Sequence, residues 1–287
     1  MAQAAALIST DDLARRMGAP ALRIFDCTTY LRPGPDGRYI AESGRANYDK
    51  GHIPGAAFLD LQAELSDSRS KLRFTLPPLD ALTKAFAGKG IGHGTSVVLY
   101  SHASPIWSSR VWWMLRAIGF DDVAILDGGL DKWKAENRPL SIEPTIYPLV
   151  TLTLRGRPEI FVDKTAIKEA IGAPDTLTLN ALSHDQHKGT GGVAYGRAGR
   201  IAGSSCVPAA SLIGADKTLK PIGELRAAFE GVGAAADKRL LVYCGGGIAA
   251  TLDAFVLTAL LGHRSVSVYD NSMQEWSNDP SLPMETG

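Results

Sequence analysis

Cys244 is followed by Gly245, Gly246 and Gly247, where the apolar run Arg239-Leu240-Leu241-Val242-Tyr243 gives way to a second apolar run from Ile248 to Leu261. The first run reads as a strand and the second as a helix. A thiol at such a junction sits over several backbone N–H groups and the positive end of a helix dipole. Both favour a thiolate or another sulfur anion over a neutral thiol. The three glycines remove side chains that would keep a substrate atom from those N–H groups. This is the chemistry of a nucleophilic cysteine. Two other uses of such a loop fail on residue type. A GxGxxG phosphate-binding turn needs a glycine at 249 or 250, and both are alanine. A cysteine phosphatase needs a loop arginine, typically six residues on; that residue is Ala250 and the loop has no arginine.

The elements that position this loop follow from the rest of the chain. It has 287 residues, 45% apolar and 21% charged, enough for one large or two ordinary domains with real cores. Lys+Arg and Asp+Glu are 30 each, so no basic excess points to nucleic acid or an anionic membrane as partner. Three cysteines, Cys27, Cys206 and Cys244, form neither a disulfide framework nor a metal-ligand spacing. Cys27 and Cys206 read as small core residues at strand ends. No cofactor or metal is expected. The start Met1-Ala2-Gln3 lacks the basic region of a signal peptide, and the Ile248–Leu261 run, broken by Asp253, is too short to span a bilayer. A cytoplasmic chain is the expectation.

The chain repeats itself. Tyr100, Asp127 and Trp133 stand 143 positions before Tyr243, Asp270 and Trp276, and Gly51-His52-Ile53-Pro54-Gly55-Ala56 resembles Gly199-Arg200-Ile201-Ala202-Gly203-Ser204, 148 positions on. Strands are expected at 22–27, 57–59, 96–100 and 123–126, with helices at 79–87, 108–118 and 130–136. The second half repeats them with strands at 176–180, 204–207, 240–243 and 265–269 and helices at 222–230, 248–261 and 273–276. This is an α/β fold of two tandem domains, each a mostly parallel sheet with helices on both faces. The expected division is residues 1–140 and 159–287, joined by a linker at 141–158 that carries Pro144, Pro148 and Pro158. Ligands bind beyond the carboxyl ends of such strands, where Cys244 stands. Its counterpart is Ser101, in a loop without the glycines, so the first domain is expected to be catalytically silent. The repeat lets one chain work as a monomer.

At this point the sequence resembles a known family, the tandem-domain rhodaneses and 3-mercaptopyruvate sulfurtransferases. The resemblance rests on Gly51–Ala56 followed by Phe58-Leu59-Asp60, on Arg110-Val111-Trp112-Trp113-Met114-Leu115-Arg116, on Leu126-Asp127-Gly128-Gly129-Leu130-Asp131-Lys132-Trp133, and on Tyr243–Ala250 at the place of the catalytic loop. It implies two rhodanese-like domains and a sulfurtransferase. Sulfane sulfur would pass from thiosulfate or 3-mercaptopyruvate to a Cys244 persulfide, and from there to cyanide or a thiol. The N–H groups of Gly245, Gly246, Gly247, Ile248 and Ala249 would cradle the outer sulfur.

The loop departs from both family patterns. Thiosulfate-type members carry basic residues where Gly245 and Gly246 stand. Mercaptopyruvate-type members have a hydroxyl residue at the place of Gly246, working with a histidine and an aspartate where Phe74 and Gln62 are found. The family's Asp-Ala-Arg segment is Asn180-Ala181-Leu182. The resemblance then leaves Arg197, Arg200, Lys188 and His187, with Arg110 from the first domain, as candidates to bind the donor anion. The absences also leave open a catalytically idle sulfur-carrier or binding module of the same fold.

Overall fold

The computed structural model describes residues 5–34 and 39–287. The first half runs β1 (Leu7–Ile8), α1 (Thr10–Arg16), β2 (Leu22–Asp26), β3 (Thr29–Pro33), β4 (Tyr39–Ser43), α2 (Arg45–Tyr48), β5 (Ala56–Phe58), α3 (Leu61–Glu64), α4 (Leu79–Gly88), β6 (Ser96–Tyr100), α5 (Ile106–Ala117), β7 (Val123–Leu126) and α6 (Gly129–Ala135). The second runs β8 (Phe161–Val162), α7 (Lys164–Ala170), β9 (Thr176–Asn180), α8 (His184–Lys188), β10 (Arg200–Ile201), β11 (Ser205–Cys206), α9 (Ile222–Glu230), β12 (Arg239–Tyr243), α10 (Ala249–Phe255), β13 (Val266–Tyr269), α11 (Ser272–Trp276) and β14 (Met284–Glu285). Each half forms a five-stranded sheet, in the orders β1-β7-β6-β2-β5 and β8-β13-β12-β9-β11. Every pairing in the two sheets is parallel.

Alternation along the central strands divides the core. In β6, Val97 and Leu99 face one side and Val98 and Tyr100 the other; in β12, Leu240 and Val242 separate likewise from Leu241 and Tyr243. The outer faces of the two sheets carry separate clusters. The inner faces share one cluster that runs through both halves, because α5 and α10 pack on each other between the sheets. Trp112 meets Phe255 edge-on at 4.9 Å, and the hydroxyls of Ser109 and Thr251 pair at 2.9 Å. Its place between two sheets explains why α5 is buried nearly all round, its polar Ser108, Ser109 and Arg110 included.

The halves also clasp each other reciprocally. Asp270 accepts the Leu76 N–H at 2.7 Å, and Asp127 accepts the Leu219 N–H at 2.8 Å. Donors and acceptors alike are repeat equivalents. Residues 140–157 hold no helix or named strand and run back over the first half. Tyr147 Oη donates to Gly55 O and accepts the Ile24 N–H, and the Arg155 and Arg157 N–H groups bond to Ile118 O and Ala117 O.

Expected strands and helices differ from the observed ones by a residue or two at their ends. One element differs in kind. The helix expected over 248–261 is α-helical only to Phe255 and continues as a π-helical turn, Val256–Leu260. The β3–β4 hairpin lies in a stretch that the sequence pattern left without structure.

Candidate active site

Cys244 continues the inner-face alternation of Leu240 and Val242, so its thiol points toward the other half. It is only 2% exposed and opens into a cavity of about 60 Å³. The glycine loop behind it is shaped by the residues around it. Gly247 has φ +71°, and a β-carbon there would lie 2.2 Å from Asp270 O. Ser272, buried and itself at φ 50°, accepts the N–H groups of Cys244 at 3.1 Å and Gly247 at 3.2 Å, and its hydroxyl donates to Tyr269 O at 2.7 Å. One hydroxyl thus ties both ends of the loop to the start of α11. Among the described residues, the N–H groups of Gly245, Gly246, Ile248 and Ala249 have no acceptor. All four residues line the cavity, at the N-terminus of α10. The expected cradle is corrected at Gly247, whose N–H is already taken by Ser272.

The cavity roof comes from elsewhere in the chain. The Tyr195 ring lies over Gly245, where a β-carbon would stand 1.9 Å from Tyr195 Cζ. Burial, with a smaller contribution from the neighbouring Cys244, pushes the Tyr195 phenol up, so it stays a hydrogen-bond donor. Arg73 reaches in from the first half and is the only cationic side chain lining the cavity among the described residues. Its Nη1 donates to Tyr39 O, and its backbone is clamped by the Gln274 amide, which accepts from Arg73 N at 3.2 Å and donates to Arg73 O at 2.8 Å. Leu31 and Tyr39 of the hairpin, with Phe74, Ile106 and Leu182, supply apolar wall.

None of the five basic residues expected at the donor lines this cavity. The Arg197 guanidinium donates to the carbonyls of Trp276, Ser277, Asp279 and Leu282, closing the segment after α11. Arg200 bonds to Gly287 O and pairs with Glu285. His187 packs against Asn180 at 3.2 Å; burial, then the nearby Arg200 charge, lowers it to about 4. Lys188 is exposed at the end of α8. Arg110 is fully buried, pairing with Asp270 at 2.7 Å and donating to Phe74 O at 2.7 Å and Gly247 O at 3.1 Å. It braces the cavity wall and loop from behind. Arg73, Tyr195, Ser272 and Gln274 carry no sequence signal of their own, since all enter from loops or helix starts. Gln62 is exposed on α3, while Phe74 holds its wall position with a left-handed φ of 60°.

The other cysteines differ in kind. Burial pushes the Cys27 thiol well up and raises Cys206 to about 12, so both are poor nucleophiles near neutrality. Ser101 has its hydroxyl turned to Ser104 O at 2.7 Å. Among the described residues no cluster could hold a metal, and no helix is long and apolar enough to cross a membrane.

The protein is thus a duplicated parallel α/β fold with one glycine-cradled cysteine at the interface of its halves. The rhodanese-like domain family matches residues 9–136 and 166–279. Thiosulfate/3-mercaptopyruvate sulfurtransferase 2 of Arabidopsis thaliana is 30% identical, over 97% of this chain and 86% of its own length. The 3-mercaptopyruvate sulfurtransferase of Escherichia coli K12 is 31% identical over 97% of each. The crystal structure of SseA, a 3-mercaptopyruvate sulfotransferase from Escherichia coli, matches with a TM-score of 0.82 at 29% identity, covering 93% of this chain and 98% of that one. The chain belongs to the rhodanese-like family and is a sulfurtransferase.

Proposed function

We propose that Cys244 carries sulfane sulfur as a persulfide, taken from a small anionic donor, 3-mercaptopyruvate in preference to thiosulfate, and passed to a thiophilic acceptor. The observation that carries this is the cavity's content: one thiol, four N–H groups without acceptors, and one guanidinium. The N–H groups of Gly245, Gly246, Ile248 and Ala249 match a charge that builds on sulfur. The single cation, Arg73, matches the one carboxylate of 3-mercaptopyruvate, and the apolar wall suits its carbon chain. Thiosulfate, a dianion without carbon, would leave one charge uncompensated.

The Cys244 thiolate attacks the donor sulfur, forming an S–S bond as the C–S bond breaks. The electron pair passes to carbon, and the resulting enolate takes a proton and leaves as pyruvate. Side-by-side kcat/KM for the two donors, with mass mapping of the peptide containing Cys244, tests this. One added sulfur and a preference for 3-mercaptopyruvate support it. A higher kcat/KM for thiosulfate would reverse the donor assignment, and no added sulfur with either donor would leave the idle carrier or binding module in its place.

A further inference from the structure

The cavity over Cys244 opens past Tyr39, Arg73, Tyr195 and Gln274 into a second hollow of about 740 Å³, far larger than any donor named above needs. This groove runs between Leu72 in the first half and Val193 in the second. Its only charged lining residues among those described are Lys71 and Arg73. Lys71 is exposed and makes no ion pair among the described residues, and no carboxylate among those residues lines the groove. A neutral chain thus presents a positively charged entrance beside its one nucleophile.

We propose that this groove seats the sulfur acceptor, and that the acceptor is an anionic thiol of peptide size, its carboxylates toward Lys71 and its sulfur toward Cys244. The proposal rests on the persulfide reading above and names the acceptor class for that site. Size and charge together carry it. A two-atom acceptor such as cyanide needs no groove, and a cationic thiol would meet two like charges with no counter-ion among the described lining residues. In the step itself, the acceptor thiolate attacks the outer sulfur of Cys244–S–SH. A new S–S bond forms to the acceptor as the Cys244 Sγ–S bond breaks. The proton stays on the outer sulfur, and Cys244 leaves as the thiolate ready for the next donor.

The test separates loading from discharge. The enzyme is loaded with donor, freed of excess, and checked by mass for one added sulfur. It is then mixed with three matched tripeptides, N-acetyl-Cys-Asp-Asp-amide, N-acetyl-Cys-Asn-Asn-amide and N-acetyl-Cys-Lys-Lys-amide, with rates corrected for each peptide's thiolate fraction. The Asp peptide should discharge the persulfide about fivefold to tenfold faster than the Asn peptide at low salt, and the Lys peptide slower by a similar factor. The spread should collapse at about 1 M salt, where screening reaches about 3 Å. Lys71→Glu, at an exposed position that the fold does not need, should shrink or invert the ratio of Asp to Lys peptide rates. Equal rates for the three peptides, or a ratio that Lys71→Glu leaves intact, would overturn the acceptor assignment with the persulfide reading still standing. Absence of the added sulfur would instead overturn the persulfide reading, and this proposal with it.

Discussion

Tyr195 and Gly245 occupy one volume: a β-carbon on Gly245 would stand 1.9 Å from the Cζ of the Tyr195 ring. The missing loop side chain and the overhanging phenol are therefore two sides of one arrangement. Where a loop residue could have reached over the cysteine, a ring from the segment before β10 does so instead. Gly245→Ala must push the ring aside, an overpacking of about 1–3 kcal/mol. It should lower kcat/KM for the donor about tenfold. In Tyr195→Ala the same alanine at 245 has room, so its added cost should be much smaller. A double-mutant cycle on kcat/KM measures this, and a coupling below about 0.5 kcal/mol would contradict the contact.

Ser272 is the second residue on which the loop depends. Ser272→Ala removes the acceptor for two buried N–H groups, those of Cys244 and Gly247. Each orphaned group costs about 1–3 kcal/mol. Alanine also keeps the left-handed backbone without the hydrogen bonds that hold it there. The expected result is a lower melting temperature together with a fall in kcat for persulfide formation. Ser272→Thr, which keeps the hydroxyl, should recover more of kcat than of stability. Equal loss in both variants would show that the hydroxyl is not what shapes the loop.

Arg73 and Arg197 should separate cleanly. Arg73→Ala removes the cavity's cation and should raise the donor KM by tenfold or more with a smaller change in kcat, the signature of lost binding. Arg197→Ala removes a guanidinium held by four carbonyl groups and should leave the donor KM unchanged. It should lower the melting temperature instead, by about 2–4 °C for each kcal/mol lost. Initial-rate kinetics and thermal unfolding of the two variants decide between these assignments.

These two arginines also show what the sequence could tell. Cys244 was legible because its signal is local: an apolar strand ends at Tyr243, and three glycines follow the cysteine before the next apolar run. The bounds of β6, β7, β9 and α9 coincide with the apolar runs for the same reason. Arg197 was a sensible candidate by chain distance, yet the carbonyls left open after α11 lie closer to it than the cavity does. Arg73 and Tyr195 sit in irregular segments, where no period announces which way a side chain turns. The β3–β4 hairpin, with Pro33 at a strand end and apolar residues interrupted by Arg32, Glu42 and Ser43, reads as loop, although Leu31 and Tyr39 become cavity wall. The π-helical turn at Val256–Leu260 lies in a stretch that is apolar but for Thr258, so nothing in residue type marks it.

Asp253 offers a test of how the duplicated halves diverged. By the repeat offset it stands where Arg110 stands in the first half, but while Arg110 has Asp270, neither Asp253 carboxylate oxygen has a hydrogen-bond partner among the described residues. It is fully buried between the halves, and burial pushes its carboxyl well above the usual range. The folded state therefore holds a proton here that the unfolded chain releases above its ordinary carboxylate pKa of 3.8. With more protons bound in the folded state, unfolding free energy falls as pH rises above that value. This group alone contributes a slope of up to about 1.4 kcal/mol per pH unit until its folded pKa is reached. Asp253→Asn abolishes that term. Relative to wild type, the variant should gain stability steadily from pH 4 toward pH 7 in denaturant titrations, whatever its absolute stability at pH 4. A difference that stays flat across this range would show that Asp253 is ionised in the fold, with a partner not yet seen.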